Sequence, residues 1–144
     1  MQIYFEQEMK YHYDINKPQG DFPAYLIAMG EHCGYRFYVK NLNGRHPTAY
    51  VAIPEEHPLH GWSPKWDEAE KIDVHGGVTY TGDSVYPVQK NDDWIIGWDY
   101  GHAGDYAAYY EDGSYLEKHS HRWTVEEIIA ECKGVCEQLK GMEK

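Results

Sequence analysis

Hydrophobic positions fall in short runs through the middle of the chain and switch to helical spacing near its end. Ala24-Tyr25-Leu26-Ile27-Ala28-Met29, Tyr35-Arg36-Phe37-Tyr38-Val39-Lys40 and Thr48-Ala49-Tyr50-Val51-Ala52-Ile53 are runs of β-formers bounded by glycine, asparagine and proline, which predicts strands. Gly30 to Gly34 reads as a turn. Asn43-Gly44 is a hairpin pair, because both residues accept positive φ, so 35–53 is expected to be an antiparallel hairpin. Lys71-Ile72-Asp73-Val74-His75 alternates and predicts a short strand, and Val78-Thr79-Tyr80-Thr81 predicts another. Asp93 to Asp99 is nearly continuous in apolar character and predicts a central strand. Gly97 within it marks a bulge or a close approach by another group.

Thr124-Val125-Glu126-Glu127 is a capping box, with Thr124 as N-cap and Glu127 three residues on. Ile128, Ile129, Cys132, Val135, Cys136 and Leu139 follow at helical spacing, leaving Glu126, Glu131, Lys133, Glu137 and Lys140 outside. The expected fold is α+β: an antiparallel sheet of about five to six strands covered by a C-terminal helix. One domain spans 1–144, with an N-terminal arm or loop at 1–23, the sheet and its turns at 24–105, and the helix at 124–140. No repeat or second domain is visible.

Composition narrows the partners. The chain has 24 acidic residues against 13 Lys and Arg, for a formal net charge of −11. Long nucleic acid and anionic membrane need a basic face, and none is visible. A small phosphorylated ligand remains compatible, since a local pocket of amides and imidazoles can hold one. Fourteen Tyr and 5 Trp against 3 Phe suit either a Tyr-rich sheet or a half-wet pocket or interface. Cys33, Cys132 and Cys136 lack a CxxC spacing and read as reduced thiols. With no apolar run of spanning length and no leader-like N-terminus, a cytoplasmic location is expected.

Two stretches carry the candidate chemistry: Asp73-Val74-His75-Gly76-Gly77-Val78-Thr79-Tyr80 and Trp94-Ile95-Ile96-Gly97-Trp98-Asp99-Tyr100-Gly101-His102-Ala103-Gly104-Asp105. Each joins a predicted strand to a turn with a histidine, glycines and an acid. His75, Thr79, Asp99, His102 and Asp105 are the leading candidates, and three chemistries fit them. In a ligand pocket, amides of Gly76, Gly77 and Gly104 meet an anion, His75 and His102 donate to it, and Trp98, Tyr80 or Tyr100 stack on a base. In acid–base hydrolysis of a phosphoester, Asp99 or Asp105 orients His75 or His102. In a metal centre, His75 and His102 are ligands. Against these stands the plain structural alternative, in which the acids cap turns and the histidines satisfy carbonyls. His57-Pro58-Leu59-His60 also has a ligand-like spacing, but reads better as a surface loop with solvated histidines.

With Gly34-Tyr35, His57-Pro58-Leu59-His60-Gly61 and the acidic helix, these two stretches resemble a group of small phage and prophage proteins. That group carries D-V-H-G-G-x-T-[aromatic] and W-x-x-G-[aromatic]-D-x-x-H-x-G-D elements. Tyr100-Gly101 stands where the group has Cys-Ala, so no thiol role carries over. The resemblance implies an accessory protein in a host cytoplasm, a homo-oligomer binding a small nucleotide-like ligand and blunting a host immune signal. Alternatives are a phosphoesterase acting on such a nucleotide, and an interaction module docking a host protein through its Tyr and Trp side chains.

Overall fold

The structure, a computed structural model, describes residues 3–4, 24–42, 46–64, 71–83, 93–105 and 118–143. Six strands form one sheet: β1 (Ile3–Tyr4), β2 (Ala24–His32), β3 (Tyr35–Leu42), β4 (His46–Ile53), β5 (Tyr80–Gly82) and β6 (Trp94–Asp99). Their order is β1-β2-β3-β4-β6-β5, with every neighbouring pair antiparallel. A helix, α1 (Val125–Gly141), packs on β2, β3 and β4. The α+β architecture is the one the hydrophobic pattern predicts. No helix among the described residues is long and apolar enough to cross a membrane.

The β2–β3 turn is tighter than expected. It holds only Cys33 and Gly34, at φ +55° and +87°, and two consecutive left-handed residues make the turn that matches strand twist. The expected Asn43-Gly44 turn lies outside the described residues, although β3 and β4 pair from Phe37–Val51 to Leu42–His46 as a hairpin should. Gly97 does not bulge: β6 keeps regular register against β4. It is instead a close approach, since a Cβ there would lie 2.5 Å from the Tyr50 ring.

The helix forms because a capping box starts it and a wet–dry pattern docks it. Thr124 accepts from the Glu127 amide while the Glu127 side chain accepts from the Thr124 amide. Val125, Ile128, Ile129, Cys132, Val135, Cys136 and Leu139 are buried against Phe37, Val39, Val51, Ile53, Ile96 and Trp98. Burying each Val, Ile or Leu contributes ~1.5–3 kcal/mol, and an isolated helix of this length is marginal in water. Docking therefore makes the helix. The buried Cys132 and Cys136 serve as small apolar side chains, with burial pushing the Cys136 thiol up to about 12.

Lys71 to His75 is a correction. These residues form no strand, although Ile72 and Val74 are buried as the alternation predicts. Side chains of α1 take the place of a neighbouring strand. The Asp73 amide donates to Gln138 Oε1, the Gln138 amide nitrogen donates to Asp73 O, and the His75 amide donates to Glu131 Oε2. Backbone satisfied by a helix's side chains can keep a strand-like alternation of burial without a ladder.

Candidate functional site

The two glycine-rich turns converge at one end of the sheet. After β6, the chain turns through Gly101 to Gly104, and the Asp105 amide closes the turn on His102 O at 2.9 Å. Before β5, Val74 to Gly77 turns the chain, with the Gly77 amide donating to Val74 O at 2.9 Å. Gly76 and Gly77 sit at φ +70° and +79°. Gly76 also leaves room for the second turn: a Cβ there would lie 2.3 Å from His102 Cε1. The His75 and His102 rings meet edge to face with centroids 5.7 Å apart.

Asp105 sits between them, 2% exposed. His75 Nε2 lies 2.9 Å from both Asp105 oxygens. A carboxylate only accepts, so Nε2 carries the proton in this arrangement. Asp105 also accepts from the Trp123 indole at 2.8 Å and from the His102 amide at 3.0 Å. Burial alone would raise its pKa, but these donors, His75 foremost, hold the carboxyl below its ordinary value. Asp99 stands on the other side, accepting from the Gly101 amide at 3.0 Å and the Thr79 hydroxyl at 3.3 Å.

His102 Nδ1 is the odd atom. It lies 3.5 Å from Asp99 Oδ1 and 3.6 Å from Asp105 Oδ2, is buried, and has no hydrogen-bond partner among the described residues. One donor atom each from His75, His102 and Asp105 lies within 4.8 Å of the others, an arrangement that can hold a metal ion.

Sequence reasoning found His75, Thr79, Asp99, His102 and Asp105, and the structure brings all five together. It places the rings differently. Trp98 and Tyr100 are 1% and 0% exposed, so neither offers a face to a base. Both are struts: Trp98 Nε1 donates to the Tyr100 hydroxyl at 2.9 Å, and that hydroxyl donates to Glu131 at 2.5 Å. Burial and the Glu131 bond push the Tyr100 phenol well above its ordinary range. Its ring stacks under His75 at 5.0 Å and 7°. Tyr80 packs edge-on against Tyr50 on the sheet face away from α1. The Gly77 amide is already engaged and does not point free to an anion, whereas Gly76 and Gly104 lie exposed.

Two participants were missed. Glu131, assigned to the outer face of the helix, is half-buried and holds both Tyr100 and the His75 backbone. Its position, three residues after Ile128 and four before Val135, puts it on the flank of the apolar stripe. Trp123 precedes the N-cap, where a staple residue packs back on its helix, and its indole reaches Asp105. His57 corrects the surface-loop expectation. It is 5% exposed, with Nε2 2.8 Å from Leu139 O and Nδ1 accepting from the Leu59 amide at 2.9 Å. No family model matches this chain, and no curated protein or solved structure matches it either.

Proposed function

We propose that the paired turns bind a small nucleotide-like phosphoester. The observation that carries this reading is the convergence of the His75 and His102 imidazoles on one buried, four-times-contacted carboxylate, beside the exposed backbone of Gly76 and Gly104. Side chains fixed this firmly at one end of a sheet are pre-organised for a ligand rather than shaped by it. Turnover is the second reading. It is favoured by the His75–Asp105 pair, because hydrolysis needs an oriented imidazole whether that ring carries a proton or a metal ion. The resemblance to small phage accessory proteins, some kinds of which act on nucleotide immune signals, chooses the first ligands to try.

Purified protein is incubated with cyclic dinucleotides and ADP-ribose derivatives, separated from free ligand, heat-denatured and chromatographed. Retained ligand released intact supports sequestration, and retained ligand released as products supports a phosphoesterase. Both outcomes require that His102→Ala abolish retention. Equal retention by that variant, or none by the unaltered protein, sinks the reading. Co-purification of a host protein without nucleotide would favour the interaction module instead. Among the described residues, however, Tyr80 is the single exposed large apolar side chain.

A further inference from the structure

The two turns carry more negative charge than a bare phosphate tolerates. Asp99 and Asp105 flank a single His102 nitrogen, Glu131 lies behind His75, and the whole chain carries −11. Two carboxylates and two imidazoles suit a cation first, and an anion only through it.

We propose that His75, His102 and Asp105 bind one divalent transition-metal ion, with zinc the best match to the donor set. This deepens the reading above by naming what a phosphate would meet at that site, but the ion's binding does not depend on the ligand being a nucleotide. Two ligand atoms ~2.1 Å from a tetrahedral zinc lie ~3.4 Å apart. His75 Nε2 to Asp105 is 2.9 Å and His102 Nδ1 to Asp105 Oδ2 is 3.6 Å, so small side-chain movements bring the donors to coordinating distance. Independent of spacing, His102 Nδ1 is buried without a hydrogen bond among the described residues, a cost that a metal bond relieves.

The surroundings match a metal centre as well. Ligating carboxylates and imidazoles are held by outer hydrogen bonds and packing. Here the Trp123 indole and the His102 amide hold Asp105, while Tyr100 and Glu131 hold His75. On binding, the ion takes the place of the proton on His75 Nε2. Three protein ligands leave a position open, as in catalytic zinc sites. Asp99 supplies a further oxygen 3.5 Å from the same His102 nitrogen.

The full chain, stripped with a chelator, is titrated with Zn²⁺ by calorimetry and separately loaded with Co²⁺ for its visible spectrum. One ion per chain with a tetrahedral-type Co²⁺ spectrum is expected. His75→Gln, His102→Gln and Asp105→Asn should each weaken binding by more than about a hundredfold, and Trp123→Phe by about ten- to a hundredfold. His32→Gln, which alters the distant pair with Glu137, should leave it unchanged. Melting curves identify any variant that fails to fold, and the Co²⁺ spectrum of the unaltered chain needs no variant. No stoichiometric ion, or one that survives all three ligand substitutions, overturns the inference. Nucleotide retained by a chain that takes up no added Zn²⁺ overturns it alone. Metal bound with no nucleotide retained, with or without Zn²⁺, overturns the ligand reading alone.

Discussion

His57 and His102 both follow a strand, both sit in turns punctuated by Gly or Pro, and they end in opposite conditions. The His57 ring is buried with both nitrogens engaged, one on Leu139 O and the other on the Leu59 amide. It adds a second donor to Leu139 O in the last turn of α1, a carbonyl that also accepts from the Met142 amide. The His102 ring is about a third exposed and keeps one buried nitrogen unpartnered between two carboxylates. The difference separates a histidine that completes the fold from one that the fold holds ready. Residue type and spacing do not distinguish them; the accounting of hydrogen bonds does.

The comparison breaks most visibly at Asp105. Asp105→Ala leaves the Trp123 indole, the His102 amide and the His75 ring without their acceptor. It should cost about 3–5 kcal/mol in urea unfolding; a loss below about 1 kcal/mol would show that the carboxylate is not the hub described here. His57→Ala should cost about 2–4 kcal/mol through a cavity and a Leu59 amide left without its acceptor. Because His57 sits at the other end of the helix, the change should leave metal and ligand affinity of the folded protein unaltered. If His57→Ala impairs binding as strongly as His102→Ala does, the division between the two histidines is wrong.

Gly76→Ala sharpens the contrast by moving only one ring. The left-handed backbone should cost about 1–2 kcal/mol, and the new methyl must displace the His102 side chain. Metal affinity should fall more than stability does. A smaller effect comes with acid. The Asp105 carboxyl is held below 3.8, so on acidification the unfolded chain binds its proton first. The resulting stabilisation is complete above that ordinary value and is lost as pH falls through the lower folded one. Unfolding free energy should therefore decline below about pH 4 by less than about 1.4 kcal/mol per unit from this group, with a shallower decline in Asp105→Asn. The smallest effect belongs to the exposed His121–Glu127 pair, 3.0 Å apart. Removing it with His121→Ala should change stability by less than about 0.5 kcal/mol.

Much of this was legible in the residues and their spacing. The capping box announces α1, alternation announces β3 and β4, and the clustering of His, Gly and acid in two turns announces five side chains that do meet. What was not legible depends on partners distant in sequence. Lys71 to His75 alternates like a strand, yet its Asp73 and His75 amides are satisfied by Gln138 and Glu131, more than fifty residues away. Trp98 and Tyr100 suit a pocket wall by chemistry, but their polar tips find each other and Glu131, which lets the rings be buried. Glu131 looks solvent-facing because helical spacing gives an angle and not the reach of a long side chain.

The bonds from Gln138 and Glu131 also set how this end of the protein opens. Amides at positions 73 and 75 are shielded from deuterium exchange by the helix's side chains and not by a ladder, so their protection should vanish whenever α1 lifts, even while β3 and β4 stay closed. The imidazole that enters the proposed metal centre is thus lost and regained with every undocking of the helix. Any partner or solvent condition that loosens α1 would switch off the site at a distance without touching it.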